Sequence, residues 1–163
     1  MTTTNLVQYL NQSGIPFELV THLPAFSAHD VASATHVTDK ELAKTIIIHA
    51  DEGNWMAVLP ANYRLNDRLI KRALGVKHVH FLQEEELTKL FPDCEVGAMP
   101  PIGNLYSMPV VVDKTMTQDD QIVFNAGTHT ESVKMKFGDF ENLVHPRVAQ
   151  IAEPPYTAED RDW

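Results

Sequence analysis

Apolar positions along this chain keep two different rhythms. "TIIIHA" and "WMAVLP" are unbroken apolar runs joined by "DEGN", a pattern that predicts two buried strands in a hairpin. "NDRLIKRALG" repeats instead at the helical period. Leu69, Ile70, Ala73 and Leu74 share one face, while Arg68, Lys71 and Arg72 share the other. Asn66 stands where such a helix needs a cap, and Gly75 where it stops. Near the N-terminus Asn5 and Gln8 have capping-box spacing, and Leu6, Val7 and Leu10 make an apolar stripe that ends near Gly14. "PFELVT" alternates as a short strand does. "SAHDVASAT" predicts a short helix opened by Ser27 and Asp30, "VKHVHF" a strand, and "QEEELTKLF" a helix with acids in its first turn, where the backbone dipole favours them. "CEVGAMPPIG" reads as a strand running into a rigid proline and glycine loop. Three more strands are expected in "MPVVVD", "QIVFNAG" and "SVKMKF", then a short helix in "GDFENLV" that stops before Pro146.

Helices and strands are interspersed without regular β-α-β alternation and without internal repeats. The expected class is α+β, with a mixed, mainly antiparallel sheet curled partly on itself and helices around it. The 163 residues suit one domain, expected over residues 1–150. The acidic, proline-containing "AEPPYTAEDRDW" suggests a loose tail over 151–163.

Composition removes several classes of function. No apolar run is long enough to cross a bilayer, and "MTTTNLVQYLNQSG" lacks the basic start and cleavage site of a secretory leader, so a cytoplasmic protein is expected. Cys94 is the single cysteine, which rules out an internal disulfide and a thiolate zinc cluster. Asp93 and Glu95 on either side should hold the proton on its thiol and make it a poor nucleophile. A net charge of −9 disfavours general coating of nucleic acid, yet leaves room for one local basic patch against a short nucleic-acid end. There is no G-x-S-x-G, H-E-x-x-H, P-loop or G-x-G-x-x-G motif. His78 and His80 share one side of their expected strand, but with no third ligand beside them they read as surface histidines. The seven-residue spacing of His22, His29 and His36 is interrupted by Pro24 and reads as accidental. No metal or cofactor is expected.

Three segments are left over by ordinary folding logic. Lys44 stands two residues before the β-branched run Ile46–Ile48. Gly97, Pro100, Pro101 and Gly103 stiffen "VGAMPPIG", and "FNAGTHTESVKM" places Thr128 and His129 on a glycine turn between two strands. Lys44 can be read as a side chain that snorkels to solvent or pairs with Glu41, or as a point charge awaiting an anionic ligand.

In this order the three segments resemble the YbaK-type aminoacyl-tRNA deacylases, relatives of the editing insertion domain of bacterial prolyl-tRNA synthetases. The resemblance runs from "PFELVTH" to "FGDFENLV". It implies a free-standing, metal-independent enzyme that hydrolyses the ester joining a wrong amino acid to its tRNA. Lys44 then matches the lysine needed for activity, and Gly127 with Thr128 the turn that holds the reacting carbonyl. Thr45, Gly97, Met99, Pro100 and His129 are expected to line the substrate pocket, with Phe26 closing it. "GTH" is similar to the pattern found with a pocket for a small side chain, so alanine on tRNA(Pro) is the expected substrate. His129 is expected to wall that pocket, ahead of holding the substrate's amino group or filling a turn.

The chemistry is compatible with these residues. An aminoacyl ester is already activated, so hydrolysis needs a positioned water or the ribose 2′-hydroxyl, and donors aimed at the developing oxyanion. Backbone N–H groups around Gly127 and Thr128 are the expected donors. The Arg68, Lys71 and Arg72 face, extended by Arg64 and Lys77, is either a solvated helix side or a landing surface for tRNA. Expected partners are the acceptor end of a mischarged tRNA and an aminoacyl-tRNA synthetase, with no membrane and a monomeric chain. Two other readings remain: a non-catalytic module binding aminoacyl-tRNA or a synthetase, and an esterase for small acyl esters.

Overall fold

The computed structural model describes residues 2–22 and 41–155. The helix expected over "SAHDVASAT", the residue Phe26 and the chain from 156 onward lie outside the described residues. Helix α1 (Thr2–Gln12) starts at Thr2, so Asn5 sits within the helix rather than capping it. Leu6 and Leu10, one turn apart, are fully buried as their spacing required, and Gly14 at φ 69° turns the chain away. Then follow β1 (Phe17–Thr21), β2 (Ala43–Ala50), β3 (Gly53–Pro60), β4 (Arg64–Leu65) and α2 (Asp67–Leu74). In α2 the Asn66 side chain accepts a hydrogen bond from the Leu69 N–H at 2.9 Å, and left-handed Gly75 closes the helix. Next come β5 (Val79–Phe81) and α3 (Glu84–Leu90), the latter opened by the Gln83 N–H donating to the Glu86 carboxylate. The remaining elements are β6 (Val110–Asp113), β7 (Gln121–Thr128), β8 (Glu131–Lys136), α4 (Phe137–Val144), β9 (Arg147–Ala149) and β10 (Ala152–Glu153).

The strands form three sheets: five strands in the order β5-β2-β3-β6-β9, three in the order β1-β8-β7, and the pair β10-β4. The three-stranded sheet, the β10–β4 pair and the β5-β2-β3 part are antiparallel, whereas β6 and β9 join in parallel. This is the expected α+β class with mixed, mainly antiparallel sheets. The β2–β3 register pairs Ala50 with Gly53, so the turn is only Asp51–Glu52, and the other half of "DEGN" belongs to β3. The Asp51 carboxylate accepts from the Lys77 and His78 N–H groups and ties that turn to the start of β5.

The triple isoleucine is explained by two cores, one on each face of the large sheet. Ala43 and Ile47 of β2 and Met56 and Val58 of β3 point into the main cluster, with Phe124, Ala126, Val133 and Met135 from the small sheet and Leu6 and Leu10 from α1. Ile46, Ile48, Ala57 and Leu59 point the other way and pack with Ile70 of α2 and with Ile151. A strand buried on both faces needs a continuous apolar run, not alternation.

Two expectations are corrected. The strand expected at the start of "CEVGAMPPIG" is not formed, while its proline and glycine part is the loop expected; residues 91–102 make turns and irregular chain. A Cβ on Gly103 would lie 2.0 Å from the Met108 carbonyl oxygen, so this glycine permits a close backbone crossing. The packed chain also runs past residue 150. Ile151 and Ala152 are buried, and their N–H groups donate to Oδ1 of buried Asp113 at 2.9 and 3.0 Å. The other carboxylate oxygen accepts from the N–H and hydroxyl of Thr115. Asp113 thus clamps the chain after β9 to the end of β6. That clamp continues into α2, since the Asn66 N–H donates to the Ile151 carbonyl and the Asn66 amide to Glu153.

Candidate active site

Two of the three leftover segments are laced together. The Glu95 N–H donates to the Gly127 carbonyl, and the Gly127 N–H donates to the Ala98 carbonyl, both at 2.8 Å. The His129 N–H donates to the Glu95 carboxylate at 3.2 Å, and its Nε2 lies 3.0 Å from the Val96 carbonyl oxygen. The local sequence makes this possible. The β7–β8 register shifts between Asn125 and Thr128, so Ala126 and Gly127 form a bulge, with Gly127 at φ 96°. Gly97, at φ 85°, turns the facing loop, and a Cβ there would stand 3.9 Å from the His129 ring. Thr128 closes the turn, its hydroxyl accepting from the Thr130 N–H and donating to Glu131.

The third segment reaches the same region through the backbone. Leu42 and Val123 form a parallel bridge, and the Val123 N–H donates to the Glu41 carbonyl at 2.9 Å. The ladder stops there, so β2 and β7 leave this point in the same direction without further zippering. Lys44 lies two residues past the bridge on β2, and Gly127 four residues past it on β7. Lys44 alternates with Thr45, sharing the face of Ile46 and Ile48, outside the main core. Its ammonium is half-buried and has no ion pair or hydrogen bond among the described residues, so the pairing with Glu41 is not formed. Burial pushes its pKa below the ordinary 10.5.

The remaining expected residues divide. Thr45 points to the inner face, almost fully buried, with a hydroxyl that has no partner among the described residues. Met99 belongs to the main core, and Pro100 is buried next to it. The Gly127 N–H is committed to Ala98, so it is not the open oxyanion donor that was expected. On α2, Arg68 and Arg72 are exposed without partners among the described residues, whereas Lys71 pairs with Asp67 at 2.7 Å and Arg64 with Glu153 at 3.1 Å. Arg147 adds a guanidinium at the far end of this helix, stacked 5.2 Å over Trp55 and donating to the Ala73 carbonyl. Glu95 is the site residue that sequence reasoning missed; nothing local marks it, because its partner His129 lies 34 positions along.

The model of the aminoacyl-tRNA editing domain matches residues 22–143, which include all three segments. The chain belongs to the aminoacyl-tRNA editing domain family. Within that family it falls among the YbaK-type aminoacyl-tRNA deacylases, related to the editing domains of prolyl-tRNA synthetases. Among similar proteins is the multifunctional Ser/Thr-tRNA deacylase ProXp-y of Escherichia coli (strain K12), 25% identical over 157 residues that cover 93% of each chain. The proline–tRNA ligase of Citrifermentans bemidjiense is 25% identical over 139 residues, 79% of this chain but 24% of that longer enzyme. The crystal structure of a proposed trans-editing enzyme for prolyl tRNA synthetase has the same fold, with TM-score 0.84 at 18% identity, covering 93% of this chain and 97% of the other. Among the described residues no helix is long and apolar enough to cross a membrane.

Proposed function

We propose that this editing-domain protein hydrolyses mischarged tRNA bearing a small amino acid, alanine on tRNA(Pro) first among them, without a metal and in the cytoplasm. The observation that carries the reading is Lys44: a half-buried ammonium with no counter-ion among the described residues, beside a strand that leads to the laced glycine bulge. An unpaired, partly desolvated cation is costly in a folded protein and is relieved by an anionic ligand. The terminal phosphate of the acceptor end and the oxyanion of the ester carbonyl are both suitable.

In the reaction, water adds to the ester carbonyl carbon while the π electrons move to oxygen. The tetrahedral oxyanion then collapses and the bond to the ribose oxygen breaks, while that oxygen takes up the proton lost by the attacking water. Free amino acid and a tRNA with its terminal hydroxyl restored are the products. Lys44 lowers the energy of the anionic intermediate, and His129, held by Glu95 and Val96, forms a wall that limits side-chain size. A small second pocket of this sort compensates for a synthetase, since one methylene is worth only about 1–3 kcal/mol of discrimination. The acceptor arm lands on α2 through Arg68 and Arg72, and the chain works as a monomer.

A second reading concerns the amino acid alone. A substrate with a hydroxyl of its own is favoured here because the Escherichia coli relative is named for serine and threonine. The experiment is release of amino acid from alanyl-, seryl-, threonyl- and cysteinyl-tRNA by the parent and by Lys44→Ala. The proposal expects turnover of at least one substrate, abolished in Lys44→Ala with an unchanged thermal midpoint. A parent that binds these tRNAs without releasing amino acid would instead be a non-catalytic module.

A further inference from the structure

With the Gly127 N–H occupied by the Ala98 carbonyl, that expected donor is not open to the substrate carbonyl. The outer face of the three-stranded sheet supplies another. Ile122, Phe124 and Ala126 of β7 and Val133 and Met135 of β8 face the core, so Asn125 and Ser132 face outward. They stand directly opposite each other in the β7–β8 ladder, and β1 places Val20 beside Ser132. His22 continues that strand; its N–H donates to the Thr130 carbonyl and its Nε2 lies 2.9 Å from Ser132 Oγ. Ser132, fully buried, donates from Oγ to Asn125 Oδ1 at 3.4 Å.

These contacts have a direction. With the Ser132 proton given to Asn125, the His22 contact has Nε2–H donating to Oγ. The Asn125 carbonyl is thereby turned toward Ser132, which leaves its Nδ2 with no partner among the described residues. Asn125 immediately precedes the glycine bulge. It is also two residues past the Leu42–Val123 bridge, as Lys44 is on β2, and each residue points away from the main core.

We infer that the Asn125 side-chain amide donates a hydrogen bond to the carbonyl oxygen of the aminoacyl ester, and that Ser132 and His22 are positioning residues that fix its orientation. This rests on the deacylase reading above. Lys44 supplies charge and Asn125 supplies a directed donor, the two contributions an oxyanion requires. A side-chain amide is suited to the task because its orientation is set by whatever holds its oxygen.

The test has two arms. On whichever of alanyl- or seryl-tRNA the parent hydrolyses, Asn125→Ala should lower kcat by about a hundredfold with KM within a few-fold and an unchanged thermal midpoint. His22→Gln, which keeps a donor for Ser132, should retain most of kcat where His22→Ala does not. In the second arm the parent is titrated with 3′-alanylamino-3′-deoxyadenosine, the uncleavable amide analogue, while the Asn125 side-chain N–H2 signals are followed by NMR. Those signals should move, and should fail to move in Lys44→Ala if that variant no longer binds. A parent that shifts these signals but releases no amino acid refutes turnover and keeps the Asn125 contact. A hydrolysing parent with kcat within threefold in Asn125→Ala, or with signals that stay fixed at saturation, overturns the inference.

Discussion

Asp113→Ala is the substitution whose consequence can be worked furthest from the coordinates. The carboxylate is 1% exposed and receives four hydrogen bonds, from Ile151 N–H, Ala152 N–H, Thr115 N–H and the Thr115 hydroxyl. Alanine leaves the first two donors buried with no acceptor, at about 1–3 kcal/mol each. The Thr115 donors lie nearer solvent and recover part of their loss from water. The expected destabilisation is therefore about 3–5 kcal/mol, or roughly 6–20 °C in thermal midpoint for a chain of this size. Asp113→Asn keeps one acceptor oxygen for the Ile151 and Ala152 donors and should lose only about 1–2 kcal/mol. Urea unfolding at constant m-value measures both. Native-state hydrogen exchange adds a spatial check: amides of α2, joined to this clamp through Asn66, should lose more protection than those of the β7–β8 ladder. An alanine variant within 1 kcal/mol of the parent, or an asparagine variant as unstable as the alanine one, would refute the reasoning.

Other outcomes follow from the site. Lys44→Met should be more stable than the parent at neutral pH. The depressed folded-state pKa means that the unfolded chain holds more protons between that value and 10.5, so parent stability rises with pH there. The advantage of methionine should therefore shrink as pH climbs toward 10.5, and a gap that stays constant from pH 7 upward would show that burial of the ammonium is not its source. His129→Ala should broaden the set of amino acids released in the four-tRNA panel more than it changes the rate on the best one; an unaltered profile removes His129 from the pocket wall. Arg68→Glu with Arg72→Glu should weaken tRNA binding and reduce the dependence of log K on log salt by about 1–2 units, whereas an unaffected titration means the acceptor arm lands elsewhere.

Local signals were the readable ones. Helix α2 declared both its caps, and the β2–β3 hairpin its two runs, because each is specified within about ten residues. The two-residue β4 and β10 and the three-residue β9 exist only by pairing with distant partners, so no window of sequence contains them. Apolar content misled the reading at the start of "CEVGAMPPIG" in the other direction, since it reflects burial of a loop rather than a strand. At the site, Lys44, Gly97, Gly127 and His129 stood out as residue types that folding alone did not require. The row His22–Ser132–Asn125 could not, because 110 positions separate its first two members and only the strand register aligns them. The occupied Gly127 N–H was equally hidden, since its acceptor is a backbone oxygen that carries no residue-type signal.

The late position of β10 has a consequence for biosynthesis. Leu65 must wait for Ala152, and Asn66 for the Ile151 carbonyl, so the amphipathic helix α2 leaves the ribosome long before anything closes over its end. Ile48, Leu59 and Ile70 keep an open flank throughout that interval, which exposes apolar surface on the half-finished chain while β7 and β8 are still being made. A stop codon three or four places before Glu153 would turn that passing state into a permanent one.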